Sequence, residues 1–290
     1  AILRAVGDTK RPLIFLIISG VVNACLNMLL VIVFHLDVAG VAIATVTSQF
    51  ISCVLVIGCL YRTKSSYQLR FSRLKIQKKY LKPICQVGIP AGIQSTVINF
   101  SNALLQSSVN SFGSTTMAGY TAANNIFGFL YVSVNAITQA CMSFTSQNYG
   151  LRKLKRMDKI LIDCLILTVV VSLVLGGGVY LFGAEILRLY TEEAEVIRCG
   201  IEIFAYTTVT YFLCGIMDLF PGALRGMDRS TVPMILSVIG TVGTRIVWVF
   251  WLFPAHRSLA FLFISYPASW LITIAMQVIC FYFVWRKVHG

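Results

Sequence analysis

The chain has 290 residues, of which 57% are hydrophobic and only 12% charged, about half the charged share of a soluble globular domain. Its 24 Lys and Arg against 11 Asp and Glu give a formal charge of +13. A single water-soluble domain is excluded, and so is a nucleic-acid binder, which needs its cations on one solvated face: here they fall between long apolar runs, as in a polytopic all-α membrane protein.

Eight candidate spans follow in order, at about 12–34, 38–61, 84–111, 117–143, 160–182, 197–221, 233–253 and 259–285, each near the twenty residues that cross a bilayer core. Pro12, Pro83 and Pro233 stand near span starts, where a missing N–H costs little. The connections alternate. One set, containing both chain ends, carries twenty of the 24 basic residues, including the run from Arg62 to Lys82 and the cluster from Arg152 to Lys159. The other carries Arg188, Arg198 and Arg257 together with Glu185, Glu192, Glu193 and Glu195. The positive-inside rule makes the first set cytoplasmic, so both ends are expected inside. A reporter cysteine at Ser66 would test that face. The nine cysteines form no C-x-x-C pair, so neither a zinc site nor a disulfide framework is expected.

The segment from Leu3 to Ile14 recurs 221 residues later, from Leu224 to Ile235, with Leu, Arg, Pro and Ile in register; the same offset pairs His35 with His256 and Ser48 with Ser269. Six predicted spans separate the copies, so the two units share one orientation, as in parallel-repeat transporters. On this reading residues 1–63 hold the last two helices of a first unit, 64–82 form a basic cytoplasmic linker, and 83–290 make a complete six-helix unit. About 139 residues of the first unit are then expected upstream of Ala1, and 1–290 alone is not expected to transport.

Leu3-Arg4-x-x-Gly7-Asp8-Thr9-x-x-Pro12, the second Leu224-Arg225-Gly226 with Pro233, the Gln147-Asn148-Tyr149-Gly150 turn and the small-residue run Gly40 to Thr45 resemble the multidrug and toxic compound extrusion (MATE) transporters over the whole chain. The resemblance implies helices five to twelve of a twelve-helix, two-lobe protein in a bacterial plasma membrane. It also implies efflux of drugs, mostly organic cations, in antiport with Na⁺ or H⁺ by alternating access of the lobes. Some relatives in the wider superfamily move lipid-linked precursors instead. Two carboxylate positions of particular branches of the family are vacant: eight residues after the proline that opens the seventh helix stands Ile98, and ten before the Leu224 of the second motif stands Cys214. The branch with an essential Asp in its first helix would place it in the segment expected upstream of Ala1. No cofactor beyond the coupling ion and no metal are expected, and the intact transporter is expected to be a monomer whose partners are small organic cations and lipid.

The third span carries Ser95, Asn99, Asn102, Gln106 and Asn110 along one helical face; the fourth carries Asn124, Tyr131, Asn135 and Gln139. Two readings stay open for each side chain, interhelical hydrogen-bond glue or the wall of a wet cavity that binds substrate. Aromatic and sulfur side chains, among them Phe127, Tyr206, Tyr211 and Met217, suit flat cations and equally suit packing. Gly176-Gly177-Gly178 lacks any phosphate-loop context and points to close helix packing or a bend. Glu202, Asp218 and Arg245 are ionisable groups inside spans, a default pointer to ion coupling or gating; Asp218 and Glu202 are the expected partners of Arg245, with a permanent structural pair as the alternative. The expected role of Asp218 and Arg245 is to modulate the cycle rather than to form the main coupling site.

An embedded enzyme would need a compact catalytic set, yet the three histidines, His35, His256 and His289, lie outside or at the ends of spans. A receptor would not need a repeated six-helix unit. A secondary transporter remains the first reading, with a lipid-precursor flippase behind it and an enzyme or receptor last.

Overall fold

The computed structural model describes residues 2–65 and 67–289; Ser66, the reporter position, lies outside them. The described residues form helices and connecting turns, without strands. We number the long helices α1 (Lys10–Asn27, prolonged by a π-helical turn Met28–Val33), α2 (Asp37–Arg62), α3 (Lys78–Asn110), α4 (Ser114–Gly150), α5 (Leu154–Leu181), α6 (Ala194–Thr207), α7 (Tyr211–Gly226), α8 (Thr231–Leu252) and α9 (Leu259–His289). The chain divides into two compact units, Ala1–Gln77 and Lys78–Gly290. Part of the basic stretch expected to be linker is therefore helical: Lys78, Lys79 and Lys82 open α3, with Pro83 and Pro90 inside it. Lysine is a good helix former, and α3 continues through both prolines, although each removes a backbone donor and crowds the carbonyl four residues before it.

Among the described residues six helices are long and apolar enough to cross a membrane, and α6 with α7 make a seventh if the bent pair is one span. The predicted third span lies within α3 and falls short of that hydropathy because of its Asn and Gln. The predicted span 197–221 is not one straight helix: α6 and α7 meet at 52°. The cause is the run Thr207-Thr208-Val209-Thr210. Thr207 and Thr208 hydroxyls donate to the carbonyls of Ile203 and Phe204 at 2.6 and 2.7 Å, and such back-bonding weakens and bends a helix.

Gly176 explains how the bend is held. A Cβ there would lie 2.5 Å from the Thr208 carbonyl oxygen, whereas Gly177 and Gly178 face open space. Of the triple glycine, Gly176 is the packing residue. Gly176→Leu is expected to cost about 1–3 kcal/mol through overpacking against backbone, while Gly177→Ala should be neutral or gain up to about 1 kcal/mol of helix propensity; unfolding midpoints of the two variants check this.

The two copies of the Leu3 to Ile14 motif contain the same backbone turn. Gly7 and Asp8 N–H groups donate to the carbonyls of Arg4 and Leu3 at 3.0 and 2.9 Å, and Asp228 and Arg229 donate to Arg225 and Leu224 at 3.1 and 2.9 Å. Both are Schellman turns, ending a helix with one left-handed residue: Gly7 at φ 85° and Asp228 at φ 63°. The motif leucines Leu3 and Leu224 are both buried. Gly226 is required by packing, since a Cβ there would lie 2.9 Å from the Met142 carbonyl oxygen. Ser48 accepts from Asn23 at 3.2 Å in the first copy, and its counterpart Ser269 accepts from Arg245 at 3.3 Å in the second. The Gln147 to Gly150 segment, expected as a turn, is the last turn of α4, closed by a third Schellman turn in which Arg152 stands at φ 53°.

Within unit 78–290, α9 presents Ser265, Ser269, Thr273 and Gln277, each at 0% exposure. Their spacing of four puts them on one face. Gln277 Nε2 donates to the Pro233 carbonyl at 2.8 Å and to Ser237 Oγ at 2.9 Å, and the Thr241 and Thr273 hydroxyls lie 3.1 Å apart. This stripe, rather than those of α3 and α4, is the polar seam of α8 and α9.

Candidate functional site

A cavity of about 330 Å³ lies inside unit 78–290, within the range of small-molecule pockets. Helix α3 supplies Ile98, Asn99 and Asn102; α4 supplies Asn124, Phe127, Gly128 and Tyr131; the α6–α7 bend supplies Thr207 and Tyr211, followed by Cys214, Met217 and Asp218; α8 and α9 add Thr241, Arg245, Tyr266 and Trp270. The bend places Thr207 and Tyr211 on the wall. Four rings line up across it: Phe127 stacks on Tyr211 at 6.1 Å and 16°, Tyr211 meets Trp270 edge-on at 5.9 Å, and Trp270 meets Tyr266 at 5.8 Å. Such a row offers flat faces to a cationic or aromatic ligand.

Arg245 closes one side. It is 4% exposed, between π-helical turns at Val238–Gly243 and Trp248–Leu252. π-Turns shift helical register and are frequent at functional sites. Its Nη1 donates to Asn102 Oδ1 at 2.7 Å and its Nε to Ser269 Oγ at 3.3 Å, and the guanidinium lies 4.4 Å from the Tyr266 ring centre. The partners expected from sequence, Asp218 and Glu202, are replaced by two neutral acceptors and an aromatic face. Glu202 is exposed on α6 and does not line the cavity.

Asp218 is on the cavity wall beside the Tyr131 hydroxyl and within electrostatic reach of Arg225, two turns further along α7. Arg225 in turn donates through Nη2 to Gln94 Oε1 on α3. Ile98 and Cys214, the positions where the resemblance expects carboxylates, both line the cavity, so Asp218 one turn past Cys214 brings the acidic charge there. Among the described residues no group of three His, Cys, Asp or Glu is placed to hold a metal ion.

Of the substrate-binding residues proposed from sequence, Asn99, Asn102, Asn124, Tyr131 and Tyr211 meet at the cavity, and Gln106, Asn135, Gln139 and Tyr206 stand outside its wall. Depth separates them. Gln106 lies seven residues beyond Asn99, about 10 Å of helix rise, and is exposed, as is Gln139. Asn135 donates to the Tyr131 hydroxyl at 3.2 Å, supporting the wall from behind, and Tyr206 packs against the apolar core. Tyr266, Trp270, Thr207 and Thr241 were not singled out from sequence. Small hydroxyls and lone aromatics in apolar spans carry no signal of their own, although Tyr266 and Trp270 repeat at four, a spacing that marks a shared face.

Fold and site together define a polytopic α-helical membrane protein with a polar, aromatic-lined cavity inside one helical unit. The chain matches the MatE family over residues 90–251 and belongs to it. It is 25% identical to the probable multidrug resistance protein YoeA of Bacillus subtilis over 98% of its own length and 63% of that protein's. With the multidrug export protein MepA of Staphylococcus aureus it shares 22% identity over 81% of this chain and 52% of that one. An outward-facing multidrug resistance MATE transporter of the MOP superfamily has the same fold, with a TM-score of 0.85 at 18% identity, covering 99% of this chain and 64% of that one. So does a MOP superfamily transporter from Pyrococcus furiosus, described by the reverse polarity of its binding pocket, at 0.85 and 19% over 99% of this chain and 64% of that one. The chain thus spans less than two thirds of these relatives.

Proposed function

We propose that this chain forms part of a secondary active efflux transporter that exports drugs or toxic organic cations in antiport with Na⁺ or H⁺, by alternating access of two lobes, one of them unit 78–290. The observation that carries this is the cavity, where a row of four aromatic rings, three asparagines and Asp218 converge. Ring faces and a carboxylate are the groups that select a flat cation. Reconstituted in lipid nanodiscs, the chain should bind a fluorescent cationic dye. Asn99→Ala and Asn124→Ala should weaken that binding at least fivefold, while Gln106→Ala and Gln139→Ala, outside the wall, should leave it unchanged. Equal effects of all four substitutions would mean that the stripes only pack helices.

A second reading is a flippase for a lipid-linked precursor, favoured by one observation: Arg245 sits on the same wall and suits a phosphate. Export of lipid-linked precursors with no dye transport by the full gene product containing these residues would favour it.

The orientation that agrees with the basic-residue asymmetry puts both ends of the chain and the loop of Ser72 in the cytoplasm of a bacterial cell, with Glu192 outside. Residues 78–290 make six crossings if α6 and α7 count as one and the more polar α3 is counted as a crossing by its length, which returns each end of that unit to the same side. Ser72→Cys should therefore react with impermeant thiol reagents only after membranes are opened, and Glu192→Cys before. The opposite pattern would reverse the topology.

A further inference from the structure

At one end of the unit, away from the cavity, a second hollow of about 800 Å³ opens where three stretches of chain meet. Arg152 comes from the turn after α4, Arg229 from the turn before α8, and Lys287 from the last turns of α9; all three line the hollow and are exposed. Two of them are aimed by backbone geometry, since Arg152 and Arg229 each belong to a Schellman turn. Asp228, beside Arg229, does not line the hollow, and Asp158 nearby accepts the Trp285 indole N–H at 2.7 Å.

The rest of the wall is apolar. Val232 and Phe283 line it and are 54% and 65% exposed. Ile235 and Ile239, three and seven residues past Val232, and Ile279, one turn before Phe283, continue exposed apolar faces along the two spans. Both helices are apolar enough to cross a membrane and reach the hollow at their ends, so it lies where headgroups meet hydrocarbon. A soluble phosphate would use only the cations, and an uncharged lipid only the apolar wall; basic pockets of this kind between spanning helices suit anionic headgroups.

We propose that this hollow binds an anionic phospholipid, with its phosphate among Arg152, Arg229 and Lys287 and its acyl chains along the exposed faces of α8 and α9. The site is independent of the transport cavity and of any particular substrate. It explains why an arginine occupies the left-handed position at 152, where glycine would be unstrained: the turn presents a cation.

Native mass spectrometry of the detergent-purified chain, titrated with phosphatidylglycerol, phosphatidylcholine or sn-glycerol 3-phosphate, tests this. Phosphatidylglycerol should be retained at activation energies that strip phosphatidylcholine and should raise the melting temperature. The variant carrying Arg152→Gln, Arg229→Gln and Lys287→Gln should bind it at least tenfold more weakly, whereas Lys75→Gln with Lys79→Gln, in the basic stretch elsewhere, should not. Phe283→Asn, which keeps every cation, should weaken retention as well. Equal retention of both lipids, an unchanged affinity in the triple variant, or a full effect from glycerol phosphate alone would overturn the proposal, the last by making the hollow a site for free anions.

Discussion

Arg245→Met is expected to leave the helical unit folded and to lower transport by the full gene product more than tenfold. The guanidinium is 4% exposed, and placing a cation at the centre of a membrane helix costs about 2.5–3.5 kcal/mol on insertion scales. Against this stand two hydrogen bonds to neutral acceptors, Asn102 at 2.7 Å and Ser269 at 3.3 Å, of about 1.5–3 kcal/mol each for a charged donor, and the Tyr266 ring. The two bonds together come to about 3–6 kcal/mol and exceed the insertion cost by at most a few kcal/mol, so the charge is a modest part of the stability of the unit. Methionine fills much the same length and packs well against rings. Ser269 keeps its own bond to the Tyr266 carbonyl at 2.8 Å, and Asn102 faces the cavity. On the proposed function, a residue whose burial cost is offset by its bonds and that sits on the cavity wall between two π-turns acts on what enters. Unfolding midpoints and uptake into inverted vesicles decide the matter: an unfolded Arg245→Met would make Arg245 a structural tie, and unchanged uptake would remove it from the site.

Asp218→Asn is expected to weaken binding of cationic dyes and slow transport about tenfold while leaving transport dependent on the ion gradient. The carboxylate lines the cavity, so its loss removes the attraction for a bound cation. One carboxylate does not by itself make a Na⁺ cage. Na⁺, like other hard cations, calls for several oxygen ligands, but beside Asp218 stand the Tyr131 hydroxyl, the Cys214 sulfur and the positive Arg225, which repels a second cation. Ile98 and Cys214, where carboxylates would complete such a cage, offer none. Dye titration and ion-driven uptake in vesicles measure both effects. Loss of ion dependence with normal dye binding would make Asp218 the coupling site itself.

The site was partly legible beforehand, and the reason is geometric. Periodicity places Asn99, Asn102 and Gln106 on one face of α3, because 3.6 residues per turn fixes direction. It does not say at what depth other helices converge, and that is why Asn99 and Asn102 line the cavity while Gln106 does not. Arg245 was recognised as informative because a charge in an apolar run needs a reason. Its partners were assigned by charge type, whereas in the folded unit neutral dipoles and a ring satisfy it. The break at Thr208 was missed because hydropathy averages over a window and does not register a β-branched run whose hydroxyls bond back to the helix.

What the sequence determined by itself is the membrane-spanning all-α class, the approximate spans, the asymmetry of basic loops and the 221-residue repeat, since each follows from composition, period or local backbone chemistry. The paired Schellman turns at Gly7 and Asp228 are the same local chemistry made visible. Tertiary structure decided which polar residues share a cavity, that Gly176 and Gly226 are packing contacts, that Arg245 is held by Asn102 and Ser269, and that Arg152, Arg229 and Lys287 surround one hollow. These depend on how close separate helices approach and at what height, and one chain's linear pattern holds no term for the distance between helices.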